Sequence, residues 1–366
     1  MNRNTPRGPG NRQAGLTLIE FMISIVLGMI LVAALSVLIA NQSATRSEVD
    51  RAGRLIENGR YAIQTLADDL QMAGYWGEAT DAPTTVTLSA MPDPCSTTVT
   101  SGNGATPGIQ EGMALPVQGY DGSTYTSGTL ACVSNWKSGT DILVLRRADP
   151  DTSDVLTGGV TDLSKLTNGQ VYLQTGLTAA SSTAFTYRFA AGDAGTNAAT
   201  FTLVRKSGAL MAPRKVLVRI YYVATCDVCS GGSADTIPTL KRVDLGVASG
   251  APSVGAPISI AQGIENLQVD YGLDTNDDGA PDGADVSAAD ASLGATPSNW
   301  ERVVSAKVYL LGRGTDASPG HTNTKTFAMG ASHPASAPYN PGSDGFQRHL
   351  FMQSIRIVNP SIRKTS

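Results

Sequence analysis

Residues 16–40, LTLIEFMISIVLGMILVAALSVLIA, are apolar apart from Thr17, Glu20, Ser24 and Ser36, and this run constrains the 366-residue chain more tightly than any other feature. At the helical rise per residue it reaches about 37 Å, enough to cross a hydrocarbon core of about 30 Å. The run therefore predicts one membrane-crossing helix. Arg3, Arg7 and Arg12 precede it with no acid among the first fifteen residues, and the next basic cluster is Arg46, Arg51 and Arg54. The positive-inside bias then puts the N-terminus in the cytoplasm and the rest of the chain across the membrane. An ordinary secretory signal fits poorly, because the run exceeds an h-region of about 7–15 residues and no small-x-small cleavage site closes it.

Glu20 is the anomaly in this run. An isolated carboxylate held in lipid costs roughly 2 kcal/mol or more, so it needs a partner or a function. Beyond Ala40 polar residues increase while helical spacing persists. Ala52, Ile56, Gly59, Ile63, Leu66 and Leu70 recur every three or four positions, leaving Arg51, Arg54, Glu57, Arg60, Asp68 and Asp69 mostly off the stripe. Gly74 is a natural stop, and a helix from Leu16 to Ala73 would run roughly 87 Å. Its second half, 41–74, is expected to pack on a sheet. A long coiled coil is the weaker alternative, since clean heptads are few and Gly59 sits on the seam.

Residues 75–366 read as a β-rich head. Alternating runs predict strands at Asp141–Arg147, Ala184–Phe189, Phe201–Lys206, Val216–Val223, Leu267–Leu273, Val303–Leu311 and Leu350–Val358. Segments 97–129, 150–170 and 227–239 read as Gly/Ser/Thr-rich loops. The sets Val216, Val218, Ile220, Tyr222 and Leu267, Val269, Tyr271, Leu273 each fall on one strand face, as expected of antiparallel strands covering the helix. The expected fold class is α+β: a long N-terminal helix, transmembrane then amphipathic, packed on an antiparallel sheet with long loops.

Cys95, Cys132, Cys226 and Cys229 all follow the apolar run, and an exported location permits disulfides. Proximity in sequence favours Cys95 with Cys132 and Cys226 with Cys229. Zinc is disfavoured because only Cys226 and Cys229 have CxxC spacing and His321, His333 and His349 show no paired ligand spacing. Thioredoxin-type chemistry is disfavoured as well, since Cys226 ends a strand-like run instead of opening a helix.

The stretch 274–285 carries oxygen donors at Asp274, Asn276, Asp278, Asp282 and Asp285, with Gly279 at the sixth place and the Ala280 carbonyl at the seventh. That is the spacing of an EF-hand loop with Asp for Glu at the last position, so calcium is the one metal the sequence suggests; the competing reading is a solvated turn. No cofactor is otherwise required. No catalytic motif such as GxSxG, HExxH or a P-loop is present, which argues against an enzyme. The formal charge of −4 becomes −7, from 24 basic and 31 acidic residues, once the first fifteen are removed, and no basic stripe suits direct nucleic-acid binding.

Gly15-Leu16-Thr17-Leu18-Ile19-Glu20 resembles the class III signal of type IV prepilins and type II secretion pseudopilins. The resemblance implies cleavage by prepilin peptidase between Gly15 and Leu16, N-methylation of Leu16, and a filament role for Glu20 as the fifth mature residue. Leu16 stands where phenylalanine is more usual, and no proline interrupts the helix, leaving Gly28 as its only flexible point inside the membrane part. The segments GRYAIQTLADDLQMAGYWG (59–77), VVSAKVYLLGR (303–313) and RHLFMQSIRIVNP (348–360) look like the PilW-type minor pilins and, more distantly, J-type pseudopilins. Many of those relatives carry a cysteine after the Gly-Tyr-x-Gly element, where this chain has Glu78. Family likeness implies a leader over 1–15, membrane and assembly helix over 16–40, and a periplasmic head reaching the pilus fibre from the inner membrane. It also implies partners among other minor pilins, the major pilin and the inner-membrane assembly platform. The alternatives are a type II secretion pseudopilin and an exported adhesin or enzyme on a simple membrane tether.

Overall fold

The computed structural model describes residues 15, 17–79, 81–193 and 195–364. The chain divides into two compact units, 1–51 and 52–366. Helix α1 spans Leu18–Met72 and so contributes to both. In the first unit its residues are almost all exposed, and the helix is long and apolar enough to cross a membrane.

In the second unit α1 buries Leu55, Gly59, Ala62, Ile63, Leu66, Ala67, Asp69 and Leu70 and ends before Gly74, whose φ of 74° is the left-handed conformation that closes a helix. Fourteen strands follow among the described residues: β1 Val117–Tyr120, β2 Ile142–Ala148, β3 Leu156–Thr157, β4 Val160–Thr161, β5 Val171–Gly176, β6 Thr186–Ala191, β7 Arg214–Ala224, β8 Thr239–Ala248, β9 Ala251–Val254, β10 Ile258–Gln262, β11 Ile264–Leu273, β12 Val286–Ser287, β13 Val303–Arg313 and β14 Arg348–Arg356. The larger sheet is centred on β7. Strand β2 pairs along one edge of it, while β8 and β5 share the other, and β9 and β10 both pair with β8. The smaller sheet has the order β12-β11-β13-β14. All of these pairings are antiparallel, which with the helix gives the expected α+β class.

The two sheets meet at Asp141, just before β2. Its N–H donates to Leu267 O at 2.9 Å, and its carboxylate accepts the N–H groups of Val269 and Gly122, both at 2.8 Å. Both sheets therefore face α1, and one core gathers Leu66 and Leu70 of the helix, Leu143, Tyr221 and Val223 of the larger sheet, and Leu267, Val269, Val308 and Ile355 of the smaller.

Two expectations about the sheets are corrected. The Leu267, Val269, Tyr271, Leu273 face does pack into the helix core, whereas Val216, Val218, Ile220 and Tyr222 turn away from it. They build a second core with Trp76, Ile109, Met113, Leu130 and Val133, so β7 is covered on both faces and its helix side shows Arg219, Tyr221 and Val223. An alternating strand reads the same whichever face meets the helix, because a partner on the other side is supplied by distant loops.

Phe201–Lys206 is no strand; Val204 makes isolated bridges to Leu177 and Leu210. The buried Gln174 amide takes the place of a neighbouring strand, accepting Leu203 N–H at 3.0 Å and donating to Leu203 O at 3.3 Å and Met211 O at 2.7 Å. Segment 97–129, expected as loop, contains a helical turn at Ile109–Gly112 as well as β1. Glu111 organises it from inside, accepting Thr100 Oγ1 at 2.7 Å, Gly102 N at 2.9 Å and Gly108 N at 2.8 Å.

Candidate functional site

At the start of α1, Thr17 and Glu20 form a reciprocal N-terminal cap. The Thr17 N–H donates to Glu20 Oε2 at 3.0 Å and its hydroxyl does so at 2.9 Å, while Glu20 N–H reaches Thr17 Oγ1 at 3.4 Å. The S/T-x-x-E spacing that produces this arrangement satisfies donors that the first helical turn leaves without partners. Sequence reasoning isolated Glu20 as an unpartnered charge and missed Thr17, although the signal lay three residues upstream. The cap engages Oε2; Glu20 itself remains exposed, as does Gly15, and Leu16 lies outside the described residues. From Leu18 to Ile39 the helix presents exposed Leu, Ile, Val, Phe and Met side chains to its surroundings. Such a surface is stable only in lipid or against other apolar helices.

The other half of α1 is locked to the head by a carboxylate that the stripe analysis left on the outer face. Asp69 is 6% exposed, and its oxygens accept Arg219 Nη1 at 2.5 and 2.7 Å and Arg147 Nη2 at 3.3 Å, as well as the Tyr221 hydroxyl. Burial alone would raise the Asp69 carboxyl, but the hydrogen bonds and charges of Arg219, with Tyr221 and Arg147, hold it below the ordinary carboxylate range. Arg219 also lies 3.8 Å from Asp244, which pairs with Arg242 at 2.7 Å. A second buried ion cluster ties β14 to β11: Arg348, its side chain 1% exposed, donates to Glu265 at 2.5 Å and to Asp344 at 2.6 and 2.7 Å.

Close approach of the helix to the smaller sheet depends on Gly59. A Cβ there would meet Phe351 Cε2 at 2.0 Å, and one on Gly312 would meet Leu55 Cδ1 at 2.9 Å. Small residues on each side of this seam let a strand side chain lie directly over the helix backbone.

The cysteines form two disulfides, Cys95–Cys132 and Cys226–Cys229. The first ties together loops that cover the second core, where both cysteines pack against its buried residues. The second closes a short turn at the end of β7.

In the 274–285 loop the oxygen donors are occupied along the chain. Asp274, fully buried, accepts Asp278 N–H at 3.2 Å and Gly279 N–H at 2.8 Å. Asn276 Oδ1 accepts Asp278 N–H at 3.0 Å, and Asp278 accepts Ala280 N–H at 2.8 Å. Asp282 caps the turn at Thr275 through two 2.8 Å bonds, and an Asp285 oxygen lies 3.0 Å from where a Gly272 Cβ would stand. Gly279 takes the left-handed φ of 80° that the sixth position requires. Among the described residues no group of three or more His, Cys, Asp or Glu side chains is gathered to hold a metal ion. The loop here is a series of turns closed by its own side chains, with Asp285 set against β11. Two of the three histidines sit beside aromatic rings, His333 with Tyr339 and His349 with Phe351.

The family model for type IV pilus-assembly protein W matches residues 220–359, from β7 through β14, and the prokaryotic N-terminal methylation motif matches residues 10–36. No protein of curated function matches the sequence. Among solved structures, a type IV-like pilin from Thermus thermophilus is similar at 16% identity, covering 40% of this chain and 70% of that one, with a TM-score of 0.21. Residues 220–359, from β7 through β14, are thus similar to the type IV pilus-assembly protein W family, and the segment holding Gly15, Leu16 and Glu20 carries the prokaryotic N-terminal methylation motif.

Proposed function

We propose that this chain is a minor pilin that helps to initiate type IV pilus assembly and sits near the tip of the fibre. One observation supports this above others: among the described residues the apolar half of α1 is exposed along its length, and it carries the methylation motif. In this reading prepilin peptidase cuts between Gly15 and Leu16, and Leu16 is then N-methylated. The head starts in the periplasm, anchored in the inner membrane by residues 16–40, and leaves with the fibre.

Entry into a filament exchanges lipid for the flanks of sister helices, from other minor pilins or the major pilin, at the assembly platform. The amino group freed at Leu16 is a cation in a low-dielectric bundle, and Glu20 of a subunit offset along the axis neutralises it. Register then follows from charge pairing, and the head contributes contact surface instead of chemistry.

The test is the mass of the N-terminal peptide of the protein recovered from membranes and from sheared pili. N-methylated Leu16 as the first residue is expected. A chain that keeps its first fifteen residues in the membrane and never reaches the sheared fraction overturns the reading.

A further inference from the structure

The connection between β7 and β8 holds chemistry that a filament subunit does not need. Cys226 is 7% exposed, whereas Cys229 is half-buried between the exposed Val228 and Ser230. Lys241 of β8, itself 7% exposed, places its ammonium 2.8 Å from Asp227 O and 3.5 Å from Cys229 Sγ. Buried lysines usually hydrogen-bond a carboxylate, whereas the acceptors in reach of this ammonium are a backbone carbonyl and a sulfur.

The turn does not depend on its bridge for shape. The Asp235 carboxylate accepts the N–H groups of Asp227, Val228 and Ile237, each at 2.9 Å, and Asp227 Oδ2 accepts Gln262 Nε2 at 2.7 Å. Opening Cys226–Cys229 also releases very little chain, because its sequence separation is 3 against 37 for Cys95–Cys132. The larger bridge packs instead against the second core, with Cys132 N–H on Cys95 Sγ at 3.2 Å.

We propose that Cys226–Cys229 is a thiol–disulfide exchange site for a dithiol reductant, with Lys241 as its positioning residue. A thiolate of the dithiol attacks Cys229, the more accessible sulfur and the one beside the ammonium. The S–S bond breaks, and Cys226 leaves as a thiolate that takes up a proton. The second thiolate of the reductant then attacks its own sulfur in the mixed disulfide and expels Cys229. Two electrons pass to the cysteine pair, the dithiol becomes a disulfide, and Lys241 faces the released Cys229 thiolate. A cation next to a thiolate stabilises the reduced state and makes the bridge easier to open. The nearby carboxylates weaken this effect without cancelling it: Asp235 is engaged by three N–H groups of the turn, and Asp227 is held through Oδ2 by Gln262 of β10.

The experiment titrates the full-length chain in detergent with defined ratios of reduced to oxidised dithiothreitol, followed by alkylation and mass analysis of each cysteine. Cys226 and Cys229 are expected to become alkylated at a ratio at least about ten-fold lower than Cys95 and Cys132, with unchanged circular dichroism. Lys241→Met should raise the required ratio by about ten-fold, and Lys241→Arg should restore it. Opening of both bridges at one ratio overturns the proposal, as does a folded Lys241→Met protein that opens at the wild-type ratio. Should Lys241→Met not fold, the wild-type comparison of the two bridges and the Lys241→Arg midpoint decide.

Discussion

Both carboxylate oxygens of Asp69 on the helix accept from the guanidinium of Arg219 on β7, at 2.5 and 2.7 Å, across a sequence separation of 150 residues. This contact, with Arg147 and Tyr221 on the same carboxylate, fixes how far and at what rotation the helix sits on the larger sheet. Removing one partner of a buried pair leaves the other charge uncompensated, which costs far more than the intact pair contributes. Asp69→Ala should therefore destabilise the head by about 3–5 kcal/mol, measured by urea unfolding of the detergent-solubilised chain. A loss below about 1 kcal/mol would show that the pair is solvated.

The same residue makes a statement about pH. Its folded-state carboxyl titrates below the ordinary value, so the stability it supplies is complete above the unfolded pKa of about 3.9 and disappears as pH falls through the lower folded value. The difference between wild type and Asp69→Ala should thus be constant from neutral pH to about 5 and shrink in acid below about 4. Asp141 works in the opposite direction. Burial first, and then the neighbouring Asp121 charge, push its carboxyl well above the ordinary range, so its contribution is present in acid and is lost as pH rises through that raised value.

Gly59→Ala should destabilise the head by about 1–3 kcal/mol, because the new methyl group enters the space of the Phe351 ring. Phe351→Leu in the same chain should recover part of that loss. Additive penalties in the double-mutant cycle would mean that the two positions do not share the clash.

Glu20 carries two separable duties. Glutamine can serve in a reciprocal cap but brings no charge, while alanine serves neither purpose. Under the filament reading both Glu20→Gln and Glu20→Ala should reach the membrane at wild-type levels and be missing from sheared pili. Normal incorporation of Glu20→Gln would leave Glu20 as a helix cap alone.

Replacing Cys95 and Cys132 together by alanine should cost about 2–4 kcal/mol, since the bridge constrains a long segment in the unfolded chain. Thermal unfolding with and without the pair measures this directly.

Whatever depends on neighbours along the chain is legible in the residues alone. The apolar run, the three- and four-residue spacing from Ala52 to Leu70, the Gly74 stop and the alternation of β7, β11, β13 and β14 are all local, because helix and strand periods express themselves within a few residues. Tertiary structure decided what depends on distance. Asp69 read as a surface acid until Arg219 and Tyr221 were brought beneath it, and the Val216–Tyr222 face belonged equally well to either side of its sheet until residues from the segment 109–133 covered it. Gln174 took over the bonding of an expected strand for the same reason. A side chain's partner across the fold leaves no periodic trace in the sequence, so burial of a charge becomes visible only when the counter-charge has a position in space.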